Sequence, residues 1–154
     1  MPQITLITAI AAPIDDCFQL SLSVDAHTAS MGRSAGRAVG GVTHGTMAAD
    51  DTVTWQARHF GLPFRMTSHS SAYSRPTRFV DEQVKGPFDR WWHEHIFEPL
   101  GLSATRMVDR VDFRSPMGLV GRAVDGLVLT GYMQRLLEQR NDWLKSTLER
   151  PAGQ

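Results

Sequence analysis

The chain has 154 residues, 42% of them hydrophobic and 21% charged, the profile of one domain large enough to bury a core without disulfides or metals. Sixteen basic residues balance sixteen acidic ones, and without a basic run this argues against a nucleic-acid partner. A single cysteine, Cys17, excludes an intramolecular disulfide and suits the cytoplasm. The N-terminus lacks a signal-peptide pattern, and no apolar run reaches the roughly 20 residues of a membrane span.

Residues Gln3 to Ala11 are rich in β-branched side chains and predict a first strand. Ala12-Pro13 stops it, and Pro13 suits the first turn of a short helix with Asp15 and Asp16 at its positive end and Cys17, Phe18 and Leu22 on its apolar side. A second short helix is expected around Asp25 to Met31, followed by a Ser/Gly-rich stretch, Ser30 to Gly41, that reads as a loop. Six strands then follow at even spacing. They are Val42 to Met47, Thr52 to Phe60, Phe64 to Ala72, Arg78 to Lys85, Phe88 to Glu98 and Ala104 to Phe113. Asp50-Asp51, Gly61-Leu62-Pro63, Ser74-Arg75-Pro76, Gly86-Pro87 and the segment from Pro99 to Ser103 supply the turns. Such spacing predicts an antiparallel sheet of hairpins.

Ser115-Pro116 reads as an N-cap followed by proline at the first helical position. A long helix is expected from Met117 to Leu148, with an apolar stripe of Val120, Val124, Leu127, Met133, Leu136, Leu137, Leu144 and Leu148. Gly118, Gly121, Gly126 and Gly131 lie in its first half. Each costs about 1 kcal/mol against alanine in a helix interior, so either another backbone or a ligand approaches there, or the helix is kinked. A long amphipathic helix laid on one curved sheet buries both apolar faces and leaves room for a cavity between them. The whole chain, residues 1–154, reads as one α+β domain.

Several strings, in this order, resemble the START-like (SRPBCC) superfamily of polyketide cyclases, lipid-transfer domains and related ligand binders. They are Ala12-Pro13 with Phe18, Thr52-Val53-Thr54-Trp55 running into Arg58-His59-Phe60-Gly61, and Arg78-Phe79-Val80-Asp81-Glu82-Gln83 with Gly86-Pro87-Phe88. His93-Glu94-His95 with Phe97-Glu98, Thr105 to Val111, and Ser115-Pro116-Met117-Gly118 complete the match, which spans residues 4 to 148. The resemblance implies a helix-grip fold: a curved seven-stranded antiparallel sheet wrapped around a long C-terminal helix, two short helices after strand 1, and a tunnel between sheet and helix. It implies a lipid, polyketide or other hydrophobic ligand and no particular reaction.

Alternation along the strands puts Asp81, His93, His95 and Asp109 on the face that carries Phe79, Trp91, Phe97, Met107 and Val111. His59 shares a face with Trp55. If the Phe88–Glu98 and Ala104–Phe113 strands pair around Gly101, His93 lies opposite Asp109 or one step from it, within side-chain reach. Three readings follow. These groups are satisfied polar residues of the cavity wall; or His93 and Asp109 orient a ligand head or act as general acid and base in a cyclase or dehydratase; or His93-x-His95 with a carboxylate holds a metal. No cofactor is required, and no metal is assigned, because no cysteine or fourth ligand is evident.

The expected ligand-binding residues are Trp55, His59, Phe64, Met66, Phe79, Asp81, Trp91, His93, His95, Phe97, Met107, Asp109, Val111, Val120 and Val124. The functional expectation is a carrier or binder of a small hydrophobic molecule. An enzyme using His93 or Asp109 is the alternative, and an interaction domain with a vestigial cavity is a third. Trp91 is expected inside and its neighbour Trp92 outside, either half exposed or marking a homodimer surface.

Overall fold

A computed structural model describes residues 2–32 and 36–151. Strand β1 (Gln3–Ile10) leads into helices α1 (Ile14–Ser21) and α2 (Val24–Ser30), then β2 (Arg37–Gly41), β3 (Thr52–His59), β4 (Leu62–Ser74), β5 (Arg78–Lys85), β6 (Arg90–Pro99) and β7 (Thr105–Arg114). Helix α3 (Gly118–Val124), a π-helical turn (Asp125–Leu129) and helix α4 (Thr130–Leu148) complete the chain. The seven strands form one antiparallel sheet in the order β1-β7-β6-β5-β4-β3-β2. This is the helix-grip arrangement expected from the sequence. No helix among the described residues is long and apolar enough to cross a membrane.

The inner face follows strand alternation. Val53 and Ala57 of β3, Phe79 of β5, Trp91 and Phe97 of β6 and Met107, Val111 and Phe113 of β7 are all buried. All but Ala57 belong to two apolar clusters. In the first, Phe18 of α1 meets Tyr73, Phe79 and Phe97 edge-on at 5.5, 5.6 and 5.5 Å between ring centres. The second gathers Ile4, Trp91, Val111, Phe113 and Leu137. Complete burial of each such side chain contributes about 1.5–3 kcal/mol. Cys17 is a buried member of the first cluster.

Several boundaries differ from the sequence expectation. The strand expected at Val42 to Met47 is absent; β2 lies earlier, at Arg37–Gly41, inside the stretch read as a loop. Of that stretch, residues 33–35 lie outside the described residues. Register against β3 selects the Gly-rich segment, which pairs Ala38 with Trp55 and Gly41 with Val53. The β3–β4 turn is also tighter than expected. Leu62 and Pro63 belong to β4, and the turn itself is Phe60-Gly61, with φ of 53° and 73°. Two positive φ values match the twist of a two-residue hairpin. Glycine adopts such a φ freely, whereas Phe60 adopts it against the preference of a bulky residue.

The C-terminal helix is not continuous. The π-helical turn interrupts it, and the first helical segment begins after Met117, whose φ is 73°. Ser115 does not cap it. Its amide and hydroxyl both donate to the buried carboxylate of Asp125, which holds the start of the segment against its middle. Of the four glycines, Gly121 alone is crowded, against the backbone carbonyl of Pro116; space around Gly118 and Gly126 is open. The stripe over this half also fails to reach the core, since Val120, Val124 and Leu127 are exposed at 61, 40 and 85%.

Candidate ligand-binding site

A cavity of about 720 Å3 lies between the inner face of the sheet, α2 and the C-terminal helical segments. Its walls are mostly apolar and aromatic, and include Trp55, Ala57, His59, Phe64, Met66, Trp91 and Met133. Phe60, Leu62 and Met117 line it as well, yet are exposed at 55, 60 and 74%. The mouth therefore lies between the β3–β4 hairpin and α3. At that mouth His59 Nδ1 and the Tyr132 hydroxyl are 2.8 Å apart, a hydrogen bond that ties the hairpin to α4.

A polar group occupies the inner end, between the two apolar clusters. Phe79 of the first cluster stacks on His95 at 4.1 Å, and Trp91 of the second meets His93 edge-on at 6.3 Å. The two imidazoles lie 3.8 Å apart, because the His-x-His spacing sends both inward from β6. Asp109 is the hub. Its Oδ1 accepts from His93 Nε2 at 2.9 Å and from Arg140 Nη1 at 3.3 Å, and its Oδ2 accepts from Asn141 Nδ2 at 2.7 Å. His95 Nδ1 is 3.1 Å from Asp109 Oδ1 but off the line a hydrogen bond needs; its Nε2 meets Asp81 Oδ2 at 3.2 Å. The register pairs Asp109 with His95 and Val111 with His93, so the His93–Asp109 bond is diagonal, one same-face step along β7.

The electrostatics follow from this packing. Burial alone would raise the Asp109 carboxyl, but the hydrogen bond from His93, the close approach of His95 and the charge of Arg140 outweigh it and hold Asp109 well below the usual carboxylate range. Asp81 is lowered by the same contest, with the His95 hydrogen bond outweighing burial. Burial, reinforced by the neighbouring His95, pushes His93 down to about 4 against the pull of Asp109. A carboxylate can only accept, so the proton of neutral His93 sits on Nε2 and Nδ1 keeps a lone pair. That Nδ1 has no partner among the described residues, and the ring lines the cavity. Arg140 also lines the cavity, and among the described residues only Nη1 of its guanidinium is engaged, with Asp109 and the Asn141 side chain. The inner end thus offers an acceptor at His93 and donors at Arg140.

His93, His95 and Asp109 place one ligand atom each within 4.8 Å of one another. The arrangement does not suit a cation. The Arg140 guanidinium lies against the oxygen that would ligate it, and Asp109 is already saturated by donors.

The expected site residues divide into three groups. Trp55, His59, Phe64, Met66, Asp81, Trp91, His93, His95 and Val124 line the cavity. Asp109, Phe79, Phe97, Met107 and Val111 lie behind its wall, buried in the clusters and the polar hub. Val120 points away, because α3 lies at the rim and does not cross the sheet. Trp92 is half-buried beside a depression of about 150 Å3 on the outer sheet face, remote from the polar group. Arg140, Asn141 and His27 were not foreseen. The ring of His27 lies tilted against Trp55 at 4.1 Å, and burial, with the charge of Arg140, pushes it down to about 3.

The fold is that of the START-like proteins. The chain is similar in structure to an aromatase/cyclase, Zhui, from Streptomyces sp. R1128, with a TM-score of 0.68, 16% identity, and 99% of this chain and 98% of that one covered. It is also similar to a START superfamily protein from Mycobacterium smegmatis, with a TM-score of 0.72, 14% identity and coverage of 96 and 97%. The protein TTHA0849 from Thermus thermophilus gives a TM-score of 0.73 at 18% identity, covering 95 and 99%. No protein-family model matches the chain, and no curated protein matches it in sequence.

Proposed function

We propose that this chain binds and carries a small, largely apolar molecule whose polar head lies against His93 and Arg140. The observation that carries this reading is the distribution of polarity in the cavity. About 720 Å3 of mostly apolar wall leads to one polar end. Sites for small organic ligands run to about 300–1,000 Å3, with a few polar groups that fix orientation. Such a volume also speaks against a vestigial cavity. The head would be a hydroxyl, which can accept from Arg140 and donate to His93 Nδ1, or a carbonyl, which accepts from Arg140 alone. With a lone cysteine, buried and unpaired, a cytoplasmic setting fits this reading.

A cyclase or dehydratase activity is the second reading. It is favoured by the His93–Asp109 pair and by the likeness to an aromatase/cyclase. Two features weigh against it. General bases work best with a pKa near the working pH, and His93 is held down to about 4. Asp109 lies behind the wall with its oxygens occupied, so it acts on a ligand only through His93.

Native mass spectrometry of freshly purified protein, followed by denaturing extraction, tests the proposal. A bound apolar molecule at one per chain is expected. His93→Gln is expected to weaken binding modestly. Loss of turnover by roughly 10²-fold or more on a cyclisation substrate after the same substitution would favour the enzyme instead. A bare mass, with no binding across a panel of lipids and polyketides, would refute the carrier.

A further inference from the structure

We infer that the mouth of the cavity is a docking surface for an anionic lipid bilayer. The inference deepens the carrier reading and rests on it, because it supplies the place where an apolar cargo is exchanged. The first observation is where the exposed apolar side chains fall. Of the twelve large hydrophobic residues that are exposed among the described residues, eight lie in two segments, the β3–β4 hairpin tip and residues 117–128. Leu119 and Leu127 are exposed at 78 and 85%, and Phe60 and Leu62 at 55 and 60%. A concentration of this kind on one rim differs from the scattered hydrophobic residues of an ordinary surface.

The second observation is continuity. Phe60, Leu62 and Val124 belong to the exposed rim and to the cavity wall at once. An apolar ligand leaving the inner end therefore has apolar wall on either side of the His59–Tyr132 pair until it reaches the outside. The third is charge. Between Thr52 and Met66, and between Phe113 and Leu137, the only carboxylate is Asp125, which is buried and bound to Ser115. Arg58, beside the hairpin tip, and Arg122 of α3 are exposed and without an ion-pair partner among the described residues. The chain as a whole carries no net charge, so this rim is locally basic by placement. Apolar side chains interleaved with arginine are what an anionic membrane surface attracts, and what a neutral one attracts weakly.

The rim is also built to yield. Helix α3 packs closely on little but the π-helical turn that follows it. The space around Gly118 and Gly126 is open. Single π-turns inside helices recur at functional sites. Docking the rim would draw α3 towards the acyl boundary and open the mouth where the His59–Tyr132 bond now ties hairpin to helix.

Co-sedimentation with vesicles tests the inference. Phosphatidylcholine vesicles are compared with vesicles also containing phosphatidylglycerol, at low and high salt. In parallel, uptake of a soluble fluorescent fatty acid is measured without vesicles. The wild-type chain is expected to pellet with the anionic vesicles and to be released by salt. Leu119→Asp with Leu127→Asp is expected to reduce the bound fraction at least roughly tenfold, and Arg58→Glu with Arg122→Glu to abolish the preference for anionic lipid. All four positions are exposed, so both variants should fold and still take up the fatty acid. Uptake without any vesicle binding overturns the docking surface and leaves the carrier standing. Vesicle binding without uptake supports docking and counts against the carrier reading alone. A concentration-dependent dimer that the two leucine substitutions dissolve, with no vesicle binding, assigns the rim to a second copy of the chain and overturns the inference.

Discussion

Replacing Asp109 by asparagine removes the charge at the centre of the inner polar group without changing its shape. Asp109 is completely buried and accepts from His93, Arg140 and Asn141. All three neighbours present N–H groups, so an amide nitrogen placed at either oxygen position faces a donor instead of meeting an acceptor. Arg140, itself buried, then keeps its charge without a counter-ion. Breaking one side of a buried ion pair costs about 3–5 kcal/mol. At this chain length each kcal/mol lowers Tm by roughly 2–4 °C, so Asp109→Asn should melt roughly 6–20 °C lower. Urea unfolding gives the free energy directly, with m checked for constancy. The double variant Asp109→Leu/Arg140→Met removes both charges together. It should be distinctly more stable than the sum of the two single changes, because neither charge is left stranded. The reasoning is refuted if Asp109→Asn costs less than about 1 kcal/mol, or if the two single costs simply add.

Acid stability should reveal the buried histidines. His93 is held at about 4 against 6.5 for a free side chain, and His27 at about 3. Between pH 6.5 and about 4 the unfolded chain therefore binds protons that the folded chain does not, and stability falls as pH drops through that window. For His93 alone the loss by pH 4 is about 3 kcal/mol. Asp109 and Asp81 are lowered instead, so their contribution survives this window and is lost only as pH falls through their still lower folded values. Urea unfolding at intervals across the range measures the slope, and His93→Gln should flatten it; an unchanged stability from pH 6.5 to 4 would show that these rings are not held neutral. Two glycines of the C-terminal segment should respond in opposite directions. Gly121→Ala drives a methyl group into the Pro116 carbonyl and should destabilise by about 1–3 kcal/mol. Gly126→Ala meets open space and should stabilise by up to about 1 kcal/mol, both read from thermal melts.

Much of this architecture was legible in the residues. Alternation along β5, β6 and β7 brought Asp81, His93, His95 and Asp109 to one face, and the sheet keeps them there. The partners on α4 were missed although a signal existed. Met133, Leu137, Arg140 and Leu144 follow one another at helical spacing, so Arg140 stands on the core-facing stripe. An arginine at such a position marks a buried counter-charge, and the carboxylate it needs was already assigned to the facing sheet. His27 was hidden because the seven residues of α2 carry no periodicity long enough to show which side faces Trp55.

The errors have physical causes. Val42 and Thr43 have stronger strand propensity than the glycines of β2, but pairing with β3 outweighs local preference. Val120, Val124 and Leu127 obey the same spacing as a core stripe, and nothing local distinguishes an apolar face turned to the core from one turned outward at a cavity rim. The interruption at Asp125–Leu129 begins at the residue that Ser115 bonds from ten residues away, a contact no local pattern shows.

The central claim is that the space between sheet and helix receives an apolar molecule. Ala57 lies on the wall of that space, between Trp55 and His59 on the same face of β3. Titration of a fluorescent fatty acid into the wild-type chain and into Ala57→Trp, with circular dichroism to verify that both are folded, tests this most directly. Saturation at one molecule per wild-type chain, and loss of uptake by the folded variant, is the predicted result. No uptake by the wild type, or undiminished uptake once tryptophan fills the space, would contradict it.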